Sequence, residues 1–142
     1  MKSFIPAEKD MDKRWHVVDA DGQILGRLAT RVARLLMGKE KATFTPFLDT
    51  GDHVIVINAG KVRLTGKKLS EKLYRRHSGY PGGLKEKMAG DLMAEKPEKV
   101  VHEAVIGMLP KSKLGRAMRK KLRVYPGAQH PHQAQQPQPF SL

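Results

Sequence analysis

Arg27, Arg31 and Arg34 recur at intervals of four and three residues. That spacing lines side chains along one face of an α-helix, and a guanidinium fork pairs bidentately with phosphate oxygens. Lys39 follows directly after Gly38. A second basic group lies in residues 59–87, with nine Lys or Arg against Glu71 and Glu86 alone. Within it Lys67, Lys68, Arg75 and Arg76 supply charge, and His77 and Tyr80 can stack on unpaired bases or touch their edges. Gly79, Gly82 and Gly83 surround Pro81 there and let backbone N–H groups approach a phosphate closely. A third group runs from Lys111 to Arg123 and has seven basic residues and no acidic one: Lys111, Lys113, Arg116, Arg119, Lys120, Lys121 and Arg123. These residues form the candidate RNA-binding set. A solvated basic face is the ordinary outcome of a single charge run. Three such groups in a chain of net charge +13 weigh against it.

Patterns for catalysis are each incomplete. Gly60 to Gly66-Lys67-Lys68 has five residues between its glycines where a phosphate loop has four, and Lys68 where Ser or Thr would hold magnesium. Gly22 and Gly26 alone make no dinucleotide fingerprint. His102-Glu103 begins a zinc-protease pattern, but Ile106 stands where the second His belongs. His130 and His132 offer two ligands on a flexible tail, a poor metal site. Asp19 and Asp21 lie near the carboxyl end of an expected strand, where open α/β sheets bind ligands. A turn aspartate and a helix-cap aspartate account for them more simply. With no Cys and no Gly-x-Ser-x-Gly elbow, the reading is a protein that is not an enzyme, with no catalytic residue, cofactor or metal.

The elements that must position the basic groups follow from periodicity. Trp15 to Ala20 reads as a strand and Asp21-Gly22 as a turn. Residues 24–37 place Leu25, Leu28, Ala29, Val32, Leu35 and Leu36 on one helical face, and Gly38 suits the helix end. His53 to Asn58 is a continuous β-branched run, the pattern of a parallel strand covered on both faces. Strand, helix, strand over 15–58 is a right-handed βαβ unit. Its inner connection, residues 39–52, is long and carries Phe44 and Phe47, which makes it a candidate contact loop. A short strand fits within 72–77. Leu84, Met88 and Leu92 stand at helical spacing. Pro97 opens a further helix with Val101, Ala104, Val105, Met108 and Leu109 buried, ended by Pro110. Leu114, Ala117, Met118 and Leu122 suggest a short helix, and Val124-Tyr125 a last strand. The division expected is an α/β domain over 1–127 and an extended tail over 128–142, whose five Gln and three Pro leave little to bury.

Composition narrows the class. The length of 142 residues and 39% hydrophobic content allow one modest core. A body of charge +13 repels itself unless an anion neutralises it. The longest apolar run, Val54 to Ile57, is too short to span a bilayer. Residues 1–13 contain Glu8, Asp10 and Asp12 and no apolar signal core. These features point to a soluble, cytoplasmic protein with a nucleic-acid partner and no membrane partner. Composition does not separate DNA from RNA, although the irregular glycine-rich tract suits folded RNA.

Several stretches, taken together and in order, resemble bacterial-type large-subunit ribosomal protein thirteen. They are Gly26-Arg27-Leu28-Ala29-Thr30; Phe44-Thr45-Pro46 through Asp49-Thr50-Gly51-Asp52-His53-Val54-Ile55-Val56-Ile57-Asn58-Ala59; Thr65-Gly66-Lys67-Lys68; His77-Ser78-Gly79-Tyr80-Pro81-Gly82-Gly83; Val105 to Pro110 leading into Gly115-Arg116; and Tyr125-Pro126-Gly127 with His130 to Pro137. The resemblance covers about residues 2–140. It implies a three-layer α/β/α fold with a four-stranded parallel sheet. It also implies a structural protein of the cytoplasmic ribosome that binds large-subunit rRNA early in assembly and touches neighbouring ribosomal proteins. The sequence departs from the family at Gly60, where a bulkier polar residue is expected. Gly90 departs too, weakening a helix by about 1 kcal/mol against Ala. A free regulator that binds messenger RNA, including its own, would present the same basic surface. A small RNA-modifying enzyme would need a cofactor site that these residues do not supply.

Overall fold

Val54, Ile55 and Val56 are fully buried, as a parallel strand covered on both faces requires. The computed structural model describes residues 3–141. Along it run β1 (Trp15–Asp19), α1 (Leu25–Met37), β2 (His53–Ile57), α2 (Lys68–Glu71), β3 (Leu73–His77), β4 (Leu84–Met88), α3 (Ala89–Glu95), α4 (Pro97–Met108), α5 (Lys113–Arg119), β5 (Leu122–Val124) and β6 (Gln138–Pro139). The class is α/β, as expected. Four strands form one parallel sheet in the order β5-β2-β1-β6, while β3 and β4 pair antiparallel as a separate hairpin. No helix among the described residues is long and apolar enough to cross a membrane.

Register decides what each face of the sheet carries. His16 pairs with Val54 and Val18 with Val56 across β1 and β2, and Leu122 and Val124 pair with the same two valines from β5. Val18, Val54, Val56 and Leu122 join the buried side of α1, with Val100, Val101 and Val105 of α4, in one core. The steps β1 to β2 to β5 move in one direction across the sheet, so right-handed crossovers put their helices on this face. The step from β5 back to β6 reverses direction and carries residues 125–137 across the other face. There Trp15 stacks on His53 with ring centres 4.4 Å apart and meets His132 at 5.4 Å. Tyr125 Oη and His132 Nε2 share a hydrogen bond of 2.7 Å. The third layer is therefore the returning chain, with a 3-10 turn at Gln133–Gln135 as its helical piece.

Several expectations need correction. Residues 84–88 form a strand where helical spacing was read, and the helix starts only at Ala89. A spacing of four places residues on the same side of a strand as well as of a helix, and pairing with β3 decides the matter. Leu122 lies in β5 and not in the preceding helix. Within the tail, expected as an extended segment, Gln138 and Pro139 pair with His16 and Val17 as an edge strand. Proline is tolerated at such an edge. Asp19 is a turn aspartate that accepts from Asp21 N at 3.0 Å and Asn58 Nδ2 at 2.8 Å. Asp21 pairs with Lys61, and the N-cap of α1 is Ile24. Gly90 has a packing reason: a Cβ there would come within 2.9 Å of Leu69 O, so the glycine lets α3 approach α2.

Candidate nucleic-acid interface

The arginine stripe is aimed outward by what α1 buries. Leu25, Leu28, Ala29, Val32, Ala33, Leu35 and Leu36 face the core, which leaves Arg27, Arg31 and Arg34 in solvent. None of the three is ion-paired among the described residues. They line a depression of about 370 Å³ with Gln23 and Thr30. A second, of about 410 Å³, shares Thr30 and Arg34 and extends to Met37, Lys39 and Met108. Gly38 ends α1 at φ 78°, a left-handed conformation natural to glycine, and the turn sets Lys39 beside the last helical residues. The two depressions make one shallow groove with four cations along it, none ion-paired among the described residues.

The third basic group presents a depression of its own, of about 250 Å³, lined by Lys111, Arg116 and Arg119 with Pro110 and Gly115. Ser112 caps α5 by accepting from Gly115 N at 3.2 Å. Lys113 and Lys120 are exposed on the same element, and Arg123 is exposed on edge strand β5. The Arg123 guanidinium donates to Lys120 O at 3.0 Å.

The hairpin carries the second group. Arg76 pairs in register with Lys85 and Tyr74 with Lys87 on one face; Arg75 with Glu86 and His77 with Leu84 occupy the other. Arg75 is neutralised by Glu86 at 2.6 Å. His77 Nδ1 accepts the Gly79 N–H at 2.9 Å, which leaves Nε2 as the outward donor. Tyr80 stands at the tip, 77% exposed. Lys67 and Lys68 are exposed at the start of α2, where Lys68 donates to Thr65 Oγ1 at 3.4 Å.

Lys121 leaves the candidate set. It is 6% exposed, and its ammonium pairs with Asp49 and donates to Leu36 O at 3.2 Å and Gly51 O at 2.9 Å. Burial pushes it below the ordinary lysine value, while Asp49 holds the charged form. It closes the carbonyl end of α1, where backbone acceptors lack partners. Asp52 completes this region by pairing with Lys41 and with His16 at 3.2 Å and accepting from Arg14 N at 2.9 Å. The 39–52 loop is thereby pinned, with Phe47 exposed upon it.

Other residues join the surface that the sequence reading passed over. Gln23 and Thr30 add polar contacts to the α1 groove. Lys85, Lys87 and Lys99 line a hairpin cleft with Arg76. Alternation at 85 and 87 was the available signal, hidden while 84–92 was read as helix. His130 and His132 are engaged with each other, His132 N donating to His130 Nδ1 at 3.3 Å, and His132 bonds Tyr125.

The profile of the ribosomal protein L13 family matches residues 13–131. The large ribosomal subunit protein uL13 of Alcanivorax borkumensis is 56% identical over 142 residues, covering 100% of both chains. That of Caldanaerobacter subterraneus is 55% identical over 142 residues, covering 100% of this chain and 99% of its own. That of Trichodesmium erythraeum is 54% identical over 141 residues, covering 99% and 93%. A profile match across most of the chain, with relatives this similar from end to end, means that this chain belongs to the ribosomal protein L13 family.

Proposed function

We propose that this chain is a structural constituent of the large ribosomal subunit, not an enzyme, and that it binds large-subunit rRNA directly and early in assembly. The observation that carries the reading is the α1 groove, where Arg27, Arg31, Arg34 and Lys39 stand exposed and without carboxylate partners among the described residues. Free guanidinium forks along one helix face match a phosphate backbone. The depression beside α5 and the hairpin tip extend the basic surface. Binding to rRNA before neighbours arrive needs a site that one chain completes alone, and this groove is such a site. Neighbouring ribosomal proteins then join it in the particle, in the cytoplasm.

The test is binding of the purified protein to large-subunit rRNA across a salt series, with small-subunit rRNA as competitor. Expected is tight binding that resists competition and falls log-linearly with salt, at about 0.7–0.9 in slope per phosphate contact. Equal affinity for both RNAs would sink the specific site. Co-sedimentation with large subunits in stringent salt supports the structural role; a mostly ribosome-free pool would favour a regulator bound to messenger RNA.

A further inference from the structure

The cleft between the β3–β4 hairpin and α4 has a composition that phosphate binding does not explain. Its volume is about 460 Å³, room for one nucleobase with its phosphate. Tyr74 and Leu92 give it an apolar floor, Arg76, Lys85 and Lys99 a cationic rim, and Glu103 of α4 opens onto it. Arg76 and Lys85 stand opposite each other on the cleft side of the hairpin, and neither is ion-paired among the described residues. Glu86 also lines the cleft but is held by Arg75 at 2.6 Å, so Glu103 is the anomaly. Among the described residues its one cation is Lys99 at 3.6 Å, beyond hydrogen-bond reach, and its side chain is 43% exposed. Tyr74 shares its space: burial, and then the Glu103 charge, push the phenol above its ordinary value.

A carboxylate facing a bound polyanion lowers affinity unless the ligand donates to it. An ionised carboxylate accepts only, at two oxygens. Guanine alone among the bases presents two adjacent donors on its pairing edge, N1–H and the N2 amino group, and so matches a carboxylate bidentately. Adenine and cytosine each offer one amino group beside a ring acceptor, and uracil one N–H flanked by carbonyls. We propose that this cleft takes one unpaired guanine nucleotide, with Glu103 accepting from its pairing edge and Arg76 and Lys85 holding its phosphate. The proposal rests on the RNA-binding reading above and adds a base preference to it. Glu103 acts as a specificity residue.

The experiment uses the full chain and short, labelled single-stranded oligoribonucleotides, uridine throughout except for a central G, A or C, followed by fluorescence anisotropy. The G-containing strand is expected to bind about fivefold tighter or more, the discrimination of a bidentate base contact. Glu103→Gln, an exposed change checked by circular dichroism, replaces one acceptor by a donor and removes a negative charge; it abolishes that preference, and the A and C strands bind no more weakly than to the wild type. Lys85→Gln weakens all strands alike. Equal affinity of the wild type for the three strands, with rRNA binding intact, overturns the guanine cleft alone, as does a G preference that survives Glu103→Gln. Loss of affinity for every RNA, rRNA included, overturns the cleft together with the reading beneath it.

Discussion

A lysine can meet an anion in solvent or neutralise one inside the fold, and Lys121 does the second. Its three partners are Asp49 and the carbonyls of Leu36 and Gly51. Removing it strands two carbonyl acceptors and leaves Asp49 with Lys13 alone, at 3.5 Å, which costs about 2 kcal/mol. Lys121→Met should therefore lower the melting temperature in calorimetry while leaving the salt slope of rRNA binding at the wild-type value. Arg31 and Arg34 predict the reverse. Among the described residues they pair with no carboxylate, and they stand on the solvent side of α1. Replacing both by Gln should leave the melting temperature unchanged and reduce the salt slope by about 2, one increment of about 0.9 per lost phosphate contact. A shifted melting temperature with an unchanged slope would remove them from the interface. Local sequence cannot separate these two kinds of cation. Lys121 stands in the same run as Arg119, Lys120 and Arg123, and its carboxylate partner is 72 residues away. The α1 stripe was readable because the apolar residues between its arginines state which way the helix must turn.

Elements whose residues face a core throughout declared themselves. The βαβ unit over 15–58 and the helix opened by Pro97 follow from β-branched runs, a seven-residue buried stripe and a helix-starting proline. The hairpin declared itself only in part: β3 falls within the strand expected at 72–77, but β4 does not follow from spacing, since nearly all hairpin residues are exposed and no buried face imposes a period. Close approaches between elements were likewise invisible along the chain. A Cβ on Gly51 would lie 1.8 Å from Leu36 O, and one on Gly115 would lie 1.8 Å from Pro110 O. These atoms are backbone and cannot step aside. Gly51→Ala and Gly115→Ala should each destabilise the fold by about 3 kcal/mol or more, since overpacking without room to relax is costly. Gly107, inside α4 with nothing within 4 Å of its Cβ position, should respond oppositely. Gly107→Ala is expected to stabilise by about 0.5–1 kcal/mol through helix propensity and unfolded-chain entropy. Chemical denaturation of the three variants checks both signs together; equal effects would mean that close approach is not what selects glycine here.

For the molecule as a whole, charge makes stability depend on pH. His53 and His102 are held below the ordinary imidazole value. Burial is the main cause for both, followed by Lys121 and Lys13 for His53 and by Arg119 for His102. The folded protein therefore binds fewer protons than the unfolded chain once pH falls below about 6.5. Their contribution is fully present above that value and is lost as pH falls through the two lowered folded values. Melting of the free protein should be flat between about pH 7 and 8 and decline towards about pH 5, with a shallower decline in His53→Gln. A melting temperature that rises on acidification would contradict these two environments. The sheet adds a consequence in time. β6 pairs Gln138 with His16, so nearly the whole chain separates the two sides of that ladder. During translation β1 is made long before the segment that borders it. Until then its outer edge is an open row of backbone donors and acceptors, available to any passing strand. Nascent copies would be most prone to stick together in that interval, and the returning tail ends it.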